Sequence, residues 1–245
     1  MADRATTGTL DAAEVAKFSA LAAEWWNPNG PFGALHRLNP VRLQVIRDVV
    51  VQHFGAPMRQ PLQSLNTLDL GCGGGLVSAP LARMGANVTA IDASAEAIGA
   101  AQAYAGQAGL DIRFECTTAE ALVEKAATFD LVTALEIVEH VSDVRAFLSA
   151  ASALVRPGGM LMLSTINRTP KARALAIVGA ERVLKWAPEG AHDYDKLVTP
   201  SEIRAGAPGL EWQTPIGITY NPVGAGWRQS RDTDVNYMMA GTKPV

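Results

Sequence analysis

The sequence predicts an α/β fold: a mixed, mostly parallel sheet flanked by helices, with N-terminal helices before it and a helical insertion after the fifth strand. Three observations predict it. Apolar strand-like runs alternate with helical segments from residue 65 to residue 165, and strands spaced this way build right-handed parallel βαβ units. A glycine-rich loop, Gly71-Cys-Gly-Gly-Gly75, follows the first of these strands. An acid, Asp92, closes the second, at the carboxyl edge where such sheets bind ligands.

The elements follow in order. Asp11 with Glu14 reads as a helix N-cap and its box partner, and Val15, Phe18, Leu21, Ala22 and Trp25 share one helical face. Asn27-Pro-Asn-Gly-Pro31 ends that helix. A second helix begins near Pro40, carrying Val41, Val45, Ile46 and Val49, and a linker spans 52–64. The alternation predicts strands at 65–70, 87–91, 112–115, 129–135 and 159–165, and helices at 76–84, 95–108, 119–125 and 143–155. After Asn167 the rhythm breaks, so the helical stretch 169–186 reads as an insertion. Thr199-Pro-Ser-Glu202 is a capping box with proline at N1. Strand-like pieces at 212–219 and 235–240 complete a single domain over 1–245. Its expected parts are an N-terminal helical segment (11–60), a cofactor-binding core (64–168), an insertion or lid (169–198) and a C-terminal helix with strands (199–245).

Composition narrows the function. A net charge of -3 and a pI near 5.8 leave no chain-wide basic footprint, so no nucleic-acid partner is expected. Two cysteines, Cys72 and Cys116, supply no disulfide framework and suit a reducing compartment. The N-terminus lacks an apolar signal-like core, and no apolar run reaches spanning length. The expected location is cytoplasmic, at most peripheral on the inner face of the cytoplasmic membrane.

The glycine loop then separates ligand classes. A dinucleotide fingerprint needs its third glycine at position 76, which is leucine here. A phosphate-binding P-loop needs a Gly-Lys-Ser/Thr ending, which is missing. Asp69, inside the strand just before Gly71 and Gly73, would repel a pyrophosphate but attract a sulfonium or α-amino cation. Asp92 stands about 20 residues on, where these folds grip ribose hydroxyls. Loop and acids together point to S-adenosyl-L-methionine. The competing account has Asp69 capping the next turn and the glycines merely closing it.

"LDLGCGGG" followed by "VTAIDAS" resembles motif I and the acidic partner of Rossmann-like class I methyltransferases. The set "EWWNPNGPFGALHRLNPVRL", "LEIVEHV", "LVRPGGMLMLSTINR", "VGAERVLKWAPEGAHDYDKLVTPSE" and "DVNYM", spread in order over about 14–239, resembles one family, the ubiquinone-biosynthesis O-methyltransferases. The resemblance implies cofactor contacts at Arg42, Gly71, Asp92 and Leu135. An arginine there could grip the cofactor's carboxylate as a bidentate fork; without the resemblance, Arg42 would read as a solvated helix charge. It also implies a polyprenyl phenol or quinol substrate and membership of a ubiquinone-biosynthesis complex. The adenine contact stays open at Cys116-Thr-Thr-Ala-Glu120.

Glu136, Glu139 and His140 follow the fourth strand. Offsets of three and four would set them on one side of a helical turn. Two carboxylates and an imidazole suit Mg²⁺ or another divalent cation, which would acidify a phenol and orient it. The alternative makes Glu136 and His140 acid/base groups without metal. His192 is a second base candidate, read more readily as a loop histidine bonded to Asp193 or backbone. On the inserted segment Leu175, Ile177, Val183, Leu184 and Trp186 spread over one arc and Lys171, Glu181, Arg182 and Lys185 over the other. Across 169–186 four basic residues, Arg173 being the fourth, against one acid fit a helix lying on anionic lipid; a lid over the site is the compatible alternative. Other small-phenol methyltransferases, a nicotinamide-dependent oxidoreductase and a non-catalytic S-adenosylmethionine-binding scaffold are the remaining readings.

Overall fold

The computed structural model describes residues 8–175, 193–221 and 226–245. Helix α1 (Ala12–Ser19) starts where Asp11 Oδ1 accepts the Ala13 and Glu14 amides. The single helix expected through Trp25 breaks: α1 stops at Ser19 and a 3-10 turn covers Ala22–Glu24. The break redirects the chain so that Trp25 stacks on Phe32, ring centroids 3.7 Å apart.

Helix α2 runs Gly33–Phe54, starting well before Pro40, which lies inside it. Proline forfeits one helical hydrogen bond, yet Leu38, Val41, Val45, Ile46 and Val49 are all buried along this helix. Tertiary burial carries the helix across a residue that local rules read as its start. It ends on Gly55 in the left-handed region, φ 66°.

Strands β1 (Asn66–Leu70), β2 (Asn87–Asp92), β3 (Ile112–Cys116), β4 (Phe129–Leu135) and β5 (Val155–Ile166) pair in parallel in the order β3-β2-β1-β4-β5. Helices α3 (Ser78–Arg83), α4 (Ala95–Gln107), α5 (Ala119–Glu124) and α6 (Val144–Ala153) connect them. Past β5 come α7 (Pro170–Ala172), α8 (Pro200–Gly206), β6 (Glu211–Trp212), β7 (Ile216–Asn221), β8 (Gly226–Ser230) and β9 (Asn236–Thr242). β9 lies antiparallel to β5, and β6 and β7 both pair with β9. The strand expected over 212–219 is thus two pieces, interrupted around Pro215, which cannot donate to a ladder. β8 was not expected; Gly-Trp-Arg-Gln-Ser is a poor strand sequence and becomes one through pairing with β7.

Both sheet faces are covered. Met160 and Met162 pack with Val45, Ile46, Val50 and Leu81 on one face. Leu161 and Leu163 pack with Phe147, Leu148, Leu154 and Ile203 on the other. This two-residue alternation within β5 is the pleat of a strand buried on both sides. The strand order reverses between β1 and β4, and the loops after β1, β2 and β4 leave from that one carboxyl edge. A ligand crevice belongs there.

Candidate active site

A cavity of about 680 Å³ opens at this edge, and Arg42, Asp69, Gly71, Gly73, Asp92 and Leu135 all line it. So do Glu136, Glu139 and His140. Every described residue singled out for cofactor or catalysis therefore borders one space; His192 and residues 176–186 of the inserted segment lie outside the described residues.

Arg42 is set into the cavity by the buried face of α2. It is 2% exposed, and its Nη2 donates to Asn39 Oδ1 while Asn39 Nδ2 donates to the Leu76 carbonyl. Nη1 stands 3.4 Å from Glu136 Oε1, an ion pair without hydrogen-bond geometry. Nε and Nη1 are buried with no hydrogen-bond partner among the described residues. Burial pulls the guanidinium's proton affinity down, and the charges of Glu136 and Asp69 push it back up. Buried unsatisfied N–H groups are rare and costly, so besides its ion pair with Glu136 this guanidinium has donors left for an anion in the cavity.

Asp69 is buried in β1. Its oxygens accept from Ser78 Oγ at 2.6 Å and Thr133 Oγ1 at 2.8 Å. Burial raises its pKa to about 6, against the lowering effect of those hydrogen bonds and of Arg42. Asp92 accepts the Gly73 amide at 2.8 Å and the Ser94 amide at 2.9 Å; burial raises its pKa. Each Asp92 oxygen keeps lone-pair capacity for a further donor.

The glycine loop has neighbours that sequence reasoning missed. Gly71 and Gly73 sit at φ 67° and 52°, where side chains are strained. A Cβ on Gly73 or Gly74 would lie 2.4 Å from the Trp25 ring, and one on Gly71 would lie 2.7 Å from Ile137. Close approach by a ligand was the expected reason for the glycines; a tryptophan of the N-terminal segment is also one. Trp26 Nε1 donates to the Gly74 carbonyl at 2.8 Å, and its ring stacks on Tyr104. The paired tryptophans in "EWWNPNGP" were the available signal, because two large aromatics beside a turn need a surface to pack on.

The turn after β4 departs from expectation. Glu136 has φ 53° and only Val138–His140 form a 3-10 turn, so the three side chains do not share a helical face. Glu136 accepts from Ser164 Oγ at 2.6 Å and faces Arg42. Glu139 is 3% exposed, and both its oxygens lack a hydrogen-bond partner among the described residues. Burial, then the charge of Glu136, raises its pKa to about 8. His140 Nδ1 turns to Glu14 Oε2 of α1, 3.0 Å away. Among the described residues no group of three His, Cys, Asp or Glu side chains is assembled to hold a metal ion; Glu136 turns to Ser164 and Arg42 and His140 to Glu14 because the backbone is not helical there.

Of the expected basic face, Lys171 is paired with Asp232 at 2.5 Å and Asp234 at 3.4 Å, and Arg173 lies over the Tyr194 ring. Among the described residues, no helix is long and apolar enough to cross a membrane.

A family model described as a methyltransferase domain matches residues 68–163. The chain is 50% identical over 249 residues, covering all of both sequences, to the ubiquinone biosynthesis O-methyltransferase of Sinorhizobium medicae. It is 50% identical over 243 residues, 97% of each, to the protein of that name from Brucella anthropi. Among solved structures, magnesium protoporphyrin IX methyltransferase from Synechocystis PCC 6803 with bound SAH matches with a TM-score of 0.64 at 20% identity, covering 93% of this chain and 94% of that one. A possible histamine N-methyltransferase from Thermotoga maritima matches at 0.65 and 15% identity, over 94% and 99%. At these identities the structural likeness speaks for the fold alone.

Proposed function

The chain belongs to the ubiquinone biosynthesis O-methyltransferase family, and from that premise we propose how its own residues carry out the methylation. It is an S-adenosylmethionine-dependent O-methyltransferase acting on quinol intermediates. The substrates are polyprenyl catechols and hydroquinols, with 3-demethylubiquinol and 2-polyprenyl-6-hydroxyphenol as the two acceptors. The carrying observation is Arg42, a buried guanidinium lining the cavity beside the glycine loop, whose Nε has no hydrogen-bond partner among the described residues and whose Nη1 meets Glu136 only as a 3.4 Å ion pair.

When bound, S-adenosylmethionine supplies an electrophilic methyl group on a sulfonium centre. Arg42 would hold its carboxylate through Nε and Nη1, a charge-assisted contact. Asp92, fixed by the Gly73 and Ser94 amides, accepts from the ribose hydroxyls. Asp69 would contribute negative potential toward a cationic group of the cofactor, and Leu135, at the end of β4, lines the same cavity. Gly71 and Gly73 keep side chains out of the space between. His140 takes the phenol proton as general base, and Glu136 orients the edge through Ser164 and Arg42. The Glu136, Glu139 and His140 set is a poor fit to a divalent ion as arranged, and no step here runs through one.

Methyl transfer from labelled S-adenosylmethionine to a short-chain demethylubiquinol analogue tests the substrate assignment; label is expected on the phenol oxygen, and no transfer would reject it. Arg42→Ala should raise KM for S-adenosylmethionine about tenfold or more, the order expected for losing a charge-assisted contact, with a smaller change in kcat. Peripheral contact with anionic membrane through 169–186 is supported by the sequence pattern, as is association with a ubiquinone-biosynthesis complex by the family resemblance. Intact protein that fails to float with anionic vesicles would remove the membrane reading.

A further inference from the structure

The cavity extends well beyond the acids of its cofactor end. Asp69 and Asp92 belong to β1 and β2, whereas Ile218, Trp227 and Asn236, which also line it, belong to β7, β8 and β9 on the far side of β4 and β5. The register puts these side chains on one face. Leu135, Ser164, Met238 and Ile216 stand opposite one another across β4, β5, β9 and β7, and paired residues project to the same side of a sheet. Asn236 lies two residues from Met238 and opposite Ile218; Trp227 lies opposite Tyr220, two residues from Ile218. This is the face that α2 covers, and Leu38 of α2 belongs to the same apolar cluster as Ile218 and Trp227.

Polar groups without partners interrupt this apolar end. Trp227 Nε1 is buried with no hydrogen-bond partner among the described residues, although an indole N–H only donates and ordinarily finds an acceptor when buried. The Asn236 amide, half-buried at the start of β9, makes no side-chain hydrogen bond among the described residues. Apolar walls with a few placed polar groups are the usual form of a site for a small organic ligand.

We propose that this end of the cavity is the acceptor subsite: the catechol ring lies among Leu38, Ile218 and Trp227, and the Trp227 N–H and the Asn236 amide hydrogen-bond the hydroxyl beside the one that is methylated. The proposal rests on the catechol substrate assigned above and names the residues that select it. A hydroxyl both accepts and donates, so it takes the indole hydrogen and gives its own to the amide oxygen. A ring without that hydroxyl leaves both groups unpaired. The acceptor is thus held by the oxygen that does not react.

The test compares methyl transfer to a catechol and to the matching monophenol, which carries the same side chain and lacks the second hydroxyl. Wild type should prefer the catechol in kcat/KM by about tenfold or more. Trp227→Phe removes the N–H and keeps an aromatic ring; Asn236→Leu keeps the volume and removes the amide. Each should lower the preference about fivefold, with KM for S-adenosylmethionine within about twofold of wild type. The intrinsic reactivity of the two acceptors is the same in every enzyme and cancels from that change. Calorimetric binding of the catechol to protein saturated with the thioether product, where no turnover occurs, should weaken by the same factor. Arg228→Ala, at an exposed β8 position outside the cavity lining, should leave the preference unchanged. Wild-type preference in either Trp227→Phe or Asn236→Leu would overturn the proposal. So would an equal loss on catechol and monophenol, which marks a packing defect. A wild-type enzyme that labels neither acceptor would instead remove the substrate class itself, and the subsite with it.

Discussion

Trp25 fills the space that a side chain on residue 73 or 74 would need. Gly73→Ala therefore meets two penalties, a left-handed backbone at φ 52° and a 2.4 Å overlap with the indole. Together they should destabilise the protein by about 2 kcal/mol or more, read as a lower urea midpoint at unchanged m-value. Asp69 makes the opposite prediction. Its folded pKa, about 6, stands above the 3.8 of an unperturbed aspartate, so between those pH values the native state binds more protons than the unfolded one. Stability from this group is greatest below about pH 4 and declines as pH rises to 6, by about 3 kcal/mol in all. Asp69→Asn should flatten that decline: its urea stability relative to wild type rises from pH 4 to pH 7, while methyl transfer falls. A constant difference across that range would contradict the linkage. Asp69 was legible as a functional acid from its place before the loop, whereas its partners Ser78 and Thr133 were not. They come from another helix and another strand, and only the fold brings them within 2.6 and 2.8 Å.

At the scale of elements, signals complete within a few residues read well. The capping box at the start of α8 is present as expected, with Thr199 and Glu202 each closing on the other's backbone. Thr199→Ala should cost about 1 kcal/mol, visible as a drop in Tm with kcat unaltered, since neither Thr199 nor Glu202 lines the cavity. The strand–helix alternation from β1 to β5 was legible for the same reason: buried parallel strands are continuous apolar runs with glycines and caps between them. α2 and β8 were not. The helix crosses Pro40 because its apolar stripe is buried, and β8 exists because β7 pairs with it. The turn at 136–140 was misread as helical for want of the φ 53° at Glu136, a conformation that its Arg42 and Ser164 contacts hold in place.

For the whole molecule, the N-terminal segment and the sheet edge enclose one cavity between them. Bound S-adenosylmethionine or its thioether product should stabilise the fold by about 2.7 kcal/mol at a hundredfold excess over Kd. Because α1 buries none of its own residues, it should open locally at far lower free energy than β1. Amide hydrogen exchange should therefore slow most over 12–32 on adding the product; equal slowing in β1 and α1 would argue against a closing segment. By itself the sequence determined the parallel α/β core, the cofactor class and the family, since periodicity, caps and motifs are local or ordered along the chain. Only the tertiary structure decided that Trp25 covers the glycines, that Glu14 faces His140, and that the residues of 136–140 diverge. Those contacts join positions tens to more than a hundred residues apart, and their geometry depends on packing that no short stretch encodes.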